Sequence, residues 1–194
     1  MDITDFYLSD AFTTLKHKLI DVYESKNRHY HNMRHINEML LLCGSHRFEK
    51  TTELCIAAWY HDAFNDTTRN DNEERSAELA ITDLSPYLQS PSIEFIKMCI
   101  LASKHTIPSK FLNSEIGFFV DCDLYILSHD FYYPTYKEMI RKEYSNYTDE
   151  EFKSGRIKFL NMLIDRNTVY KQFPHRDKAA MRNMLAERSE LLHK

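Results

Sequence analysis

The chain has 194 residues, 43% of them hydrophobic, and a formal net charge of -4. That length suits one domain with a sizeable core, and the mixed-sign charge gives no sign of a nucleic-acid surface. With only 3 glycines and 5 prolines, tight turns are few and an all-α fold is expected.

Apolar residues recur at helical spacing along almost the whole chain. A first helix is predicted from Ser9 to about Glu24, burying Phe12, Leu15, Leu19, Ile20 and Tyr23. A second starts at Asn32, an N-cap residue type, and runs to Cys43, where Gly44 ends it. A third begins near Thr51 and carries Leu54, Cys55, Ala58 and Trp59 toward His61-Asp62. Helices follow over Glu73 to Leu84, from Ser92 to about His105, and from Ser114 to Leu127. Pro134 opens another, to about Tyr144. Thr148 with Glu151 three residues on forms a capping box for a helix reaching about Arg166, and Pro174 begins a last, highly charged one. No repeat or linker interrupts this order. The expectation is a compact single-domain bundle of about eight or nine helices over residues 1–194, with a motif core at about 30–127 and C-terminal helices at 134–192 packed on it.

The cysteines Cys43, Cys55, Cys99 and Cys122 form no C-x-x-C pair, so buried thiols are expected rather than disulfides or a structural zinc. No apolar run approaches the roughly 20 residues of a membrane span, and the acidic first residues lack an apolar signal core. A cytoplasmic protein is the expectation.

Three groups of residues can carry chemistry. Tyr30-His31-Asn32-Met33-Arg34-His35 places two histidines four apart, on one side of a helix. His61-Asp62 follows the apolar turn Ile56-Ala57-Ala58-Trp59, which implies burial; the second such pair, His129-Asp130, sits at a helix end where capping suffices. Asp121-Cys122-Asp123 sets carboxylates inside an apolar helix, and since burying an unpaired carboxylate is costly, at least one is expected to meet a cation. That cation is either Arg or Lys, or a divalent ion shared with the histidines. Imidazole and carboxylate together suit a mid-series divalent metal, and an open coordination position would activate water.

The order His, then His-Asp, then Asp on successive helices resembles the HD-domain superfamily of metal-dependent phosphohydrolases, over about 30–127. Arg141-Lys142-Glu143-Tyr144 and Gly155-Arg156 are similar to segments of a subgroup of small HD proteins. The resemblance implies that His35, His61, Asp62 and Asp123 hold one divalent ion: Mn, Co, Fe, Ni, Zn or Mg. Tyr30-His31-Asn32-x-x-His35 is similar to a stretch of the cyclic-nucleotide phosphodiesterases, which implies His31 as proton donor to the leaving oxygen; the competing assignment makes His31 the ligand. Asp123 is preferred to Asp121 as fourth ligand because Leu124 follows it, leaving Asp121 to orient a ligand imidazole. His61-Asp62-Ala63-Phe64-Asn65-Asp66 resembles the motif of guanosine tetraphosphate hydrolases, with Asn65 where that motif has Glu. Asp66 then either assists the water or is a turn carboxylate.

His105 falls where some HD enzymes place a further histidine, and Lys104, Arg141 and Arg156 are phosphate contacts by charge type. Phe131, Tyr132, Tyr133 and Tyr136 either stack on a base or fill the core. The implied function is hydrolysis of a phosphate ester or anhydride in a small phosphorylated substrate, a nucleotide in particular, and exposed aromatic helices make a homodimer a reasonable expectation. Two alternatives are a nucleotide-sensing HD protein with little turnover and an HD-type di-iron oxygenase.

Overall fold

A computed structural model describes residues 1–193 of the chain. It is all-α, as expected: ten α-helices and three short 3-10 helices are present among the described residues, with no strand. None of these helices is long and apolar enough to cross a membrane. The chain divides into two compact units, Met1–Ile107 and Pro108–Lys194.

The first unit contains α1 (Ile3–Tyr7), α2 (Asp10–Tyr23), α3 (Met33–Ser45), α4 (Thr51–Tyr60), α5 (Asn72–Leu84) and α6 (Ser90–Ala102). Its axis is α4, in which every side chain from Glu53 to Tyr60 is buried. A helix apolar on all sides must be enclosed by others, and α4 packs against α1, α2, α3, α5 and α6. The one charged residue in that run, Glu53, meets Lys50 Nζ at 3.4 Å and accepts from the Ser92 hydroxyl at 3.2 Å.

Three local expectations change. Helix α1 is only five residues long, too short for a periodic signal, and it forms because the Asp2 carboxylate accepts from the amides of Thr4 and Asp5. Gly44 does not end α3 but lies within its last turn, and no glycine has a positive φ. Helix α6 starts at Ser90 with Pro91 in its first turn and stops at Ala102; the predicted extension to His105 fails because His105 adopts φ 55°, which helical backbone excludes. Asn32 does cap α3, its side chain accepting from Arg34 N at 2.9 Å.

The second unit contains α7 (Ser114–Asp123), α8 (Tyr133–Glu143), α9 (Asp149–Ile164) and α10 (Asp177–His193). The segment predicted as one helix to Leu127 is α-helical only to Asp123 and then tightens to 3-10 geometry over Leu124–Ser128. The capping box of Thr148 and Glu151 is fully formed. Two buried charged groups organise this unit. Arg156 forks onto Glu187, at 2.8 and 3.1 Å, and donates to the Tyr136 hydroxyl at 3.1 Å; Tyr133 donates to the same Glu187 at 2.5 Å. Asp121 accepts from the main-chain amides of Lys171 and Gln172, at 2.7 and 2.6 Å. Tyr133 and Tyr136 are thus core residues, whereas Phe131 is 83% exposed. None of the four cysteines forms a disulfide and all are buried; burial and the neighbouring Cys43 push the Cys55 thiol up to about 12.

Burial raises the Asp121 carboxyl to about 6, against the opposing pull of the Gln172 and Lys171 amides and the Ser109 hydroxyl. A raised pKa means that the folded chain keeps this proton between about pH 4 and 6 while the unfolded chain has lost it, so the contribution is present below pH 4 and is lost as pH rises through 6. Asp121→Asn removes that dependence. Urea denaturation of both proteins should show the stability difference moving by about 2 kcal/mol in favour of the variant between pH 4 and pH 7; parallel stability curves would exclude it.

Candidate metal centre

Two helix termini build the site within the first unit. His61 is the C-cap of α4, its amide donating to Ala57 O at 2.9 Å. Adjacent residues on a continuing helix point in different directions, but here the chain turns, with Ala63 N bonded to Tyr60 O. Asp62 therefore comes back over its neighbour, Oδ2 lying 3.0 Å from His61 Nε2. His35, in the first turn of α3, supplies the third atom: its Nε2 is 3.1 Å from His61 Nε2 and 3.5 Å from Asp62 Oδ2. Both histidines are buried and Asp62 is half-buried.

The protonation of this triangle is constrained by its surroundings. His61 Nδ1 lies 3.0 Å from Ala58 O, and a carbonyl can only accept, so Nδ1 carries the hydrogen. In the neutral ring, Nε2 is then a lone pair facing the Asp62 carboxylate, with His35 Nε2 beside it in a role its own tautomer sets. A proton on one imidazole relieves only the edges it lies on. A cation relieves all three, and these three residues form a group able to hold a metal ion. The spacing fits such an ion: with metal–ligand bonds of about 2.1 Å, neighbouring donors stand about 3.0 Å apart in an octahedral set and about 3.4 Å in a tetrahedral one. Asp62 Oδ2 is buried without a hydrogen-bond donor of good geometry. Burial opposes ionisation of Asp62, but His61, His31 and His35 outweigh it and hold its carboxyl well below the usual carboxylate range.

His31 is not on the helix with His35, as the four-residue spacing suggests. It precedes the N-cap Asn32, in a turn. It still reaches the site, its ring edge-on to His35 with centroids 5.8 Å apart, while Tyr30 packs on both rings at 4.9 and 5.1 Å.

The turn is held by a residue that the motifs do not single out. The Arg28 guanidinium donates to His31 O at 3.2 Å, Asp62 O at 2.5 Å and Ala63 O at 2.8 Å, and it lies 5.2 Å from the Tyr23 ring centroid. One cation thereby ties the His31 turn to the chain just past α4. Nothing in the sequence marks Arg28 beyond its place three residues ahead of His31, because its partners are main-chain atoms far along the chain.

The remaining sequence-nominated residues have other local attachments. Asp66 is exposed and accepts from the Thr68 amide and hydroxyl at 2.9 and 2.7 Å, the arrangement of a turn carboxylate. Lys104 donates to Glu74 at 2.5 Å and Asn70 O at 2.7 Å. His105 follows it, half-buried, in left-handed backbone. In the second unit, Asp123 is the half-buried last residue of α7, and Asp121 is occupied by the two amides rather than by an imidazole. Arg141 binds Asp149, Tyr144 O and Tyr147 O, and Arg156 is committed to Glu187.

No family model matches the chain, and neither the curated proteins nor the solved structures yield a match.

Because outer contacts that orient metal ligands are typically worth 10- to 100-fold in affinity, Arg28→Met should weaken Mn²⁺ binding by about tenfold or more. Calorimetric titration measures it, with circular dichroism to confirm that the helices persist. Unchanged affinity in the folded variant would remove Arg28 from any part in arranging the ligands.

Proposed function

We propose that this protein is a metal-dependent phosphohydrolase of the HD type, acting on a nucleotide or related small phosphorylated molecule. The observation that carries the reading is the convergence of His35 Nε2, His61 Nε2 and Asp62 Oδ2 to within 3.0 to 3.5 Å of one another. Three such donors with nitrogen and oxygen chemistry suit Mn, Co, Fe, Ni, Zn or Mg. Bound there, a divalent ion would lower the pKa of water and offset the charge that develops on a phosphoryl oxygen.

The chain's own groups supply the rest. His35 and His61 bind as neutral imidazoles, and the Ala58 carbonyl keeps His61 in the tautomer that does so. Tyr30 and the fold of the turn set the His31 ring beside His35. His31 donates a proton to the leaving oxygen, a task suited to a side chain that titrates near neutral pH. The first unit alone supports this reading. Asp66, fixed to Thr68, is assigned to the turn rather than to the water.

A panel of nucleoside monophosphates, deoxynucleoside triphosphates, cyclic nucleotides and pyrophosphorylated nucleotides, assayed for phosphate release with Mn²⁺ or Co²⁺, tests the activity. His61→Ala and Asp62→Ala should each lose both bound metal and turnover; full activity in either sinks the site. His31→Ala should keep the metal yet lower kcat by about 10²- to 10⁴-fold on nucleotide substrates. On p-nitrophenyl phosphate esters, whose leaving group needs no proton, the loss should be much smaller, and an equal loss on both would refute the acid role.

A further inference from the structure

The main chain around His31 is fixed by a small set of hydrogen bonds. Asn32 N donates to Tyr30 O at 2.8 Å, which closes a three-residue γ-turn with His31 at its apex. Among the described non-glycine residues, positive φ occurs only at His105 and Asn167, so this turn has the inverse form, the common and unstrained one. The Asn32 side chain works in both directions. It donates to His29 O at 2.8 Å and Arg28 O at 3.4 Å, and it accepts from Arg34 N at 2.9 Å. Arg28 in turn holds the His31 carbonyl. These bonds place the backbone, and the imidazole takes its orientation from what packs around the ring.

Tyr30 and His35 pack there. The Tyr30 and His31 rings meet edge-on, with centroids 4.9 Å apart and planes at 81°; His31 and His35 meet edge-on at 5.8 Å and 82°. Tyr30 also leans on His35, at 5.1 Å and 39°. Perpendicular contact at such distances is a favoured arrangement of aromatic rings. His31 is therefore set at right angles to two rings that touch each other. His35 is carried by α3, whereas Tyr30 belongs to the same turn as His31 and braces it against that helix. The contacts are made by the ring of Tyr30, so phenylalanine preserves them and an aliphatic side chain does not.

We propose that Tyr30 is the positioning residue for the proton donor His31, its ring holding the imidazole in one orientation toward the leaving group. The assignment rests on the phosphohydrolase reading. Tyr30 exchanges no proton and acts only through His31. In the step it serves, the attacking water oxygen bonds to phosphorus and its proton passes to solvent. The bond from phosphorus to the leaving oxygen breaks, that oxygen takes the His31 proton, and solvent restores the ring. Misplacing a reacting group by about 1 Å costs on the order of 100-fold in rate, so an imidazole free to turn forfeits much of what proton donation contributes.

The test uses the full chain, saturated with Co²⁺ for kinetics and metal-free for spectroscopy. On any nucleotide the wild type hydrolyses, Tyr30→Leu should lower kcat about 10- to 100-fold, with a much smaller loss on p-nitrophenyl phosphate esters. Tyr30→Phe should keep kcat within about threefold of wild type. Combining Tyr30→Leu with His31→Ala should be no slower than His31→Ala alone, as for residues that act as one unit. In the metal-free protein, the Hα–Hβ couplings of His31 should report one χ1 rotamer in wild type and Tyr30→Phe, and an average of rotamers in Tyr30→Leu. Tyr30→Phe as slow as Tyr30→Leu, losses that multiply in the double variant, averaged couplings in wild type, or a single His31 rotamer in Tyr30→Leu would each overturn the assignment. A wild-type protein that hydrolyses nothing in the panel would instead sink the phosphohydrolase reading, and the couplings would still decide whether Tyr30 fixes the His31 ring.

Discussion

His35 Nε2, His61 Nε2 and Asp62 Oδ2 converge to within 3.0 to 3.5 Å of one another, a grouping that needs a shared proton or a cation. Two helix ends and a turn are arranged to keep them so. The termination of α4 at His61 lets Asp62 fold back, the N-cap of α3 at Asn32 places His35 one turn in, and Arg28 joins the chain before His31 to the chain after Asp62. The enclosed α4 serves as a rigid post from which the His-Asp pair projects. Such a group could hold a metal ion, and an ion bound there would stabilise the folded first unit.

The second unit treats buried charge in the opposite way. Arg156 and Glu187 satisfy each other bidentately, with Tyr133 and Tyr136 filling the remaining hydrogen-bonding capacity. Asp121 accepts two amides at Oδ2 but keeps Oδ1 buried with no hydrogen-bond partner. Polar groups closed upon one another as Arg156 and Glu187 are specify a core and leave little capacity for a ligand. Residue type alone therefore does not separate a phosphate-binding arginine from a structural one. What separates them is whether the partners are already present.

The parts of the fold legible in the sequence are those governed by neighbours. Low glycine content and helical periodicity gave the all-α class, and the caps Asn32 and Thr148 follow from side chains bonding amides two or three residues away. The convergence of His35 with His61-Asp62 was legible because two histidines four apart and a His-Asp pair after an apolar turn, in that order, resemble a known metal-site pattern. Long-range pairings were not. Arg156 reads as a candidate phosphate contact until Glu187, on another helix, occupies it, and Asp121 reads as an outer acceptor until Lys171 and Gln172 do so. Arg28 was invisible for a related reason, since its partners are carbonyls that every residue possesses. The division at Ile107–Pro108 carries no glycine- or serine-rich linker to announce it.

The supports of the candidate metal centre are drawn in large part from the main chain. The acceptor that fixes the His61 tautomer is the carbonyl of Ala58, and Arg28 grips the carbonyls of His31, Asp62 and Ala63. A carbonyl survives any replacement of the side chain beside it. Drift at positions 58 and 63 can therefore alter the walls of the site while its scaffolding persists, provided that the helix end keeps its path. In a set of diverged sequences the ligands and Arg28 would stay fixed while the residues that hold them in place varied, so that much of the support would leave no trace in an alignment.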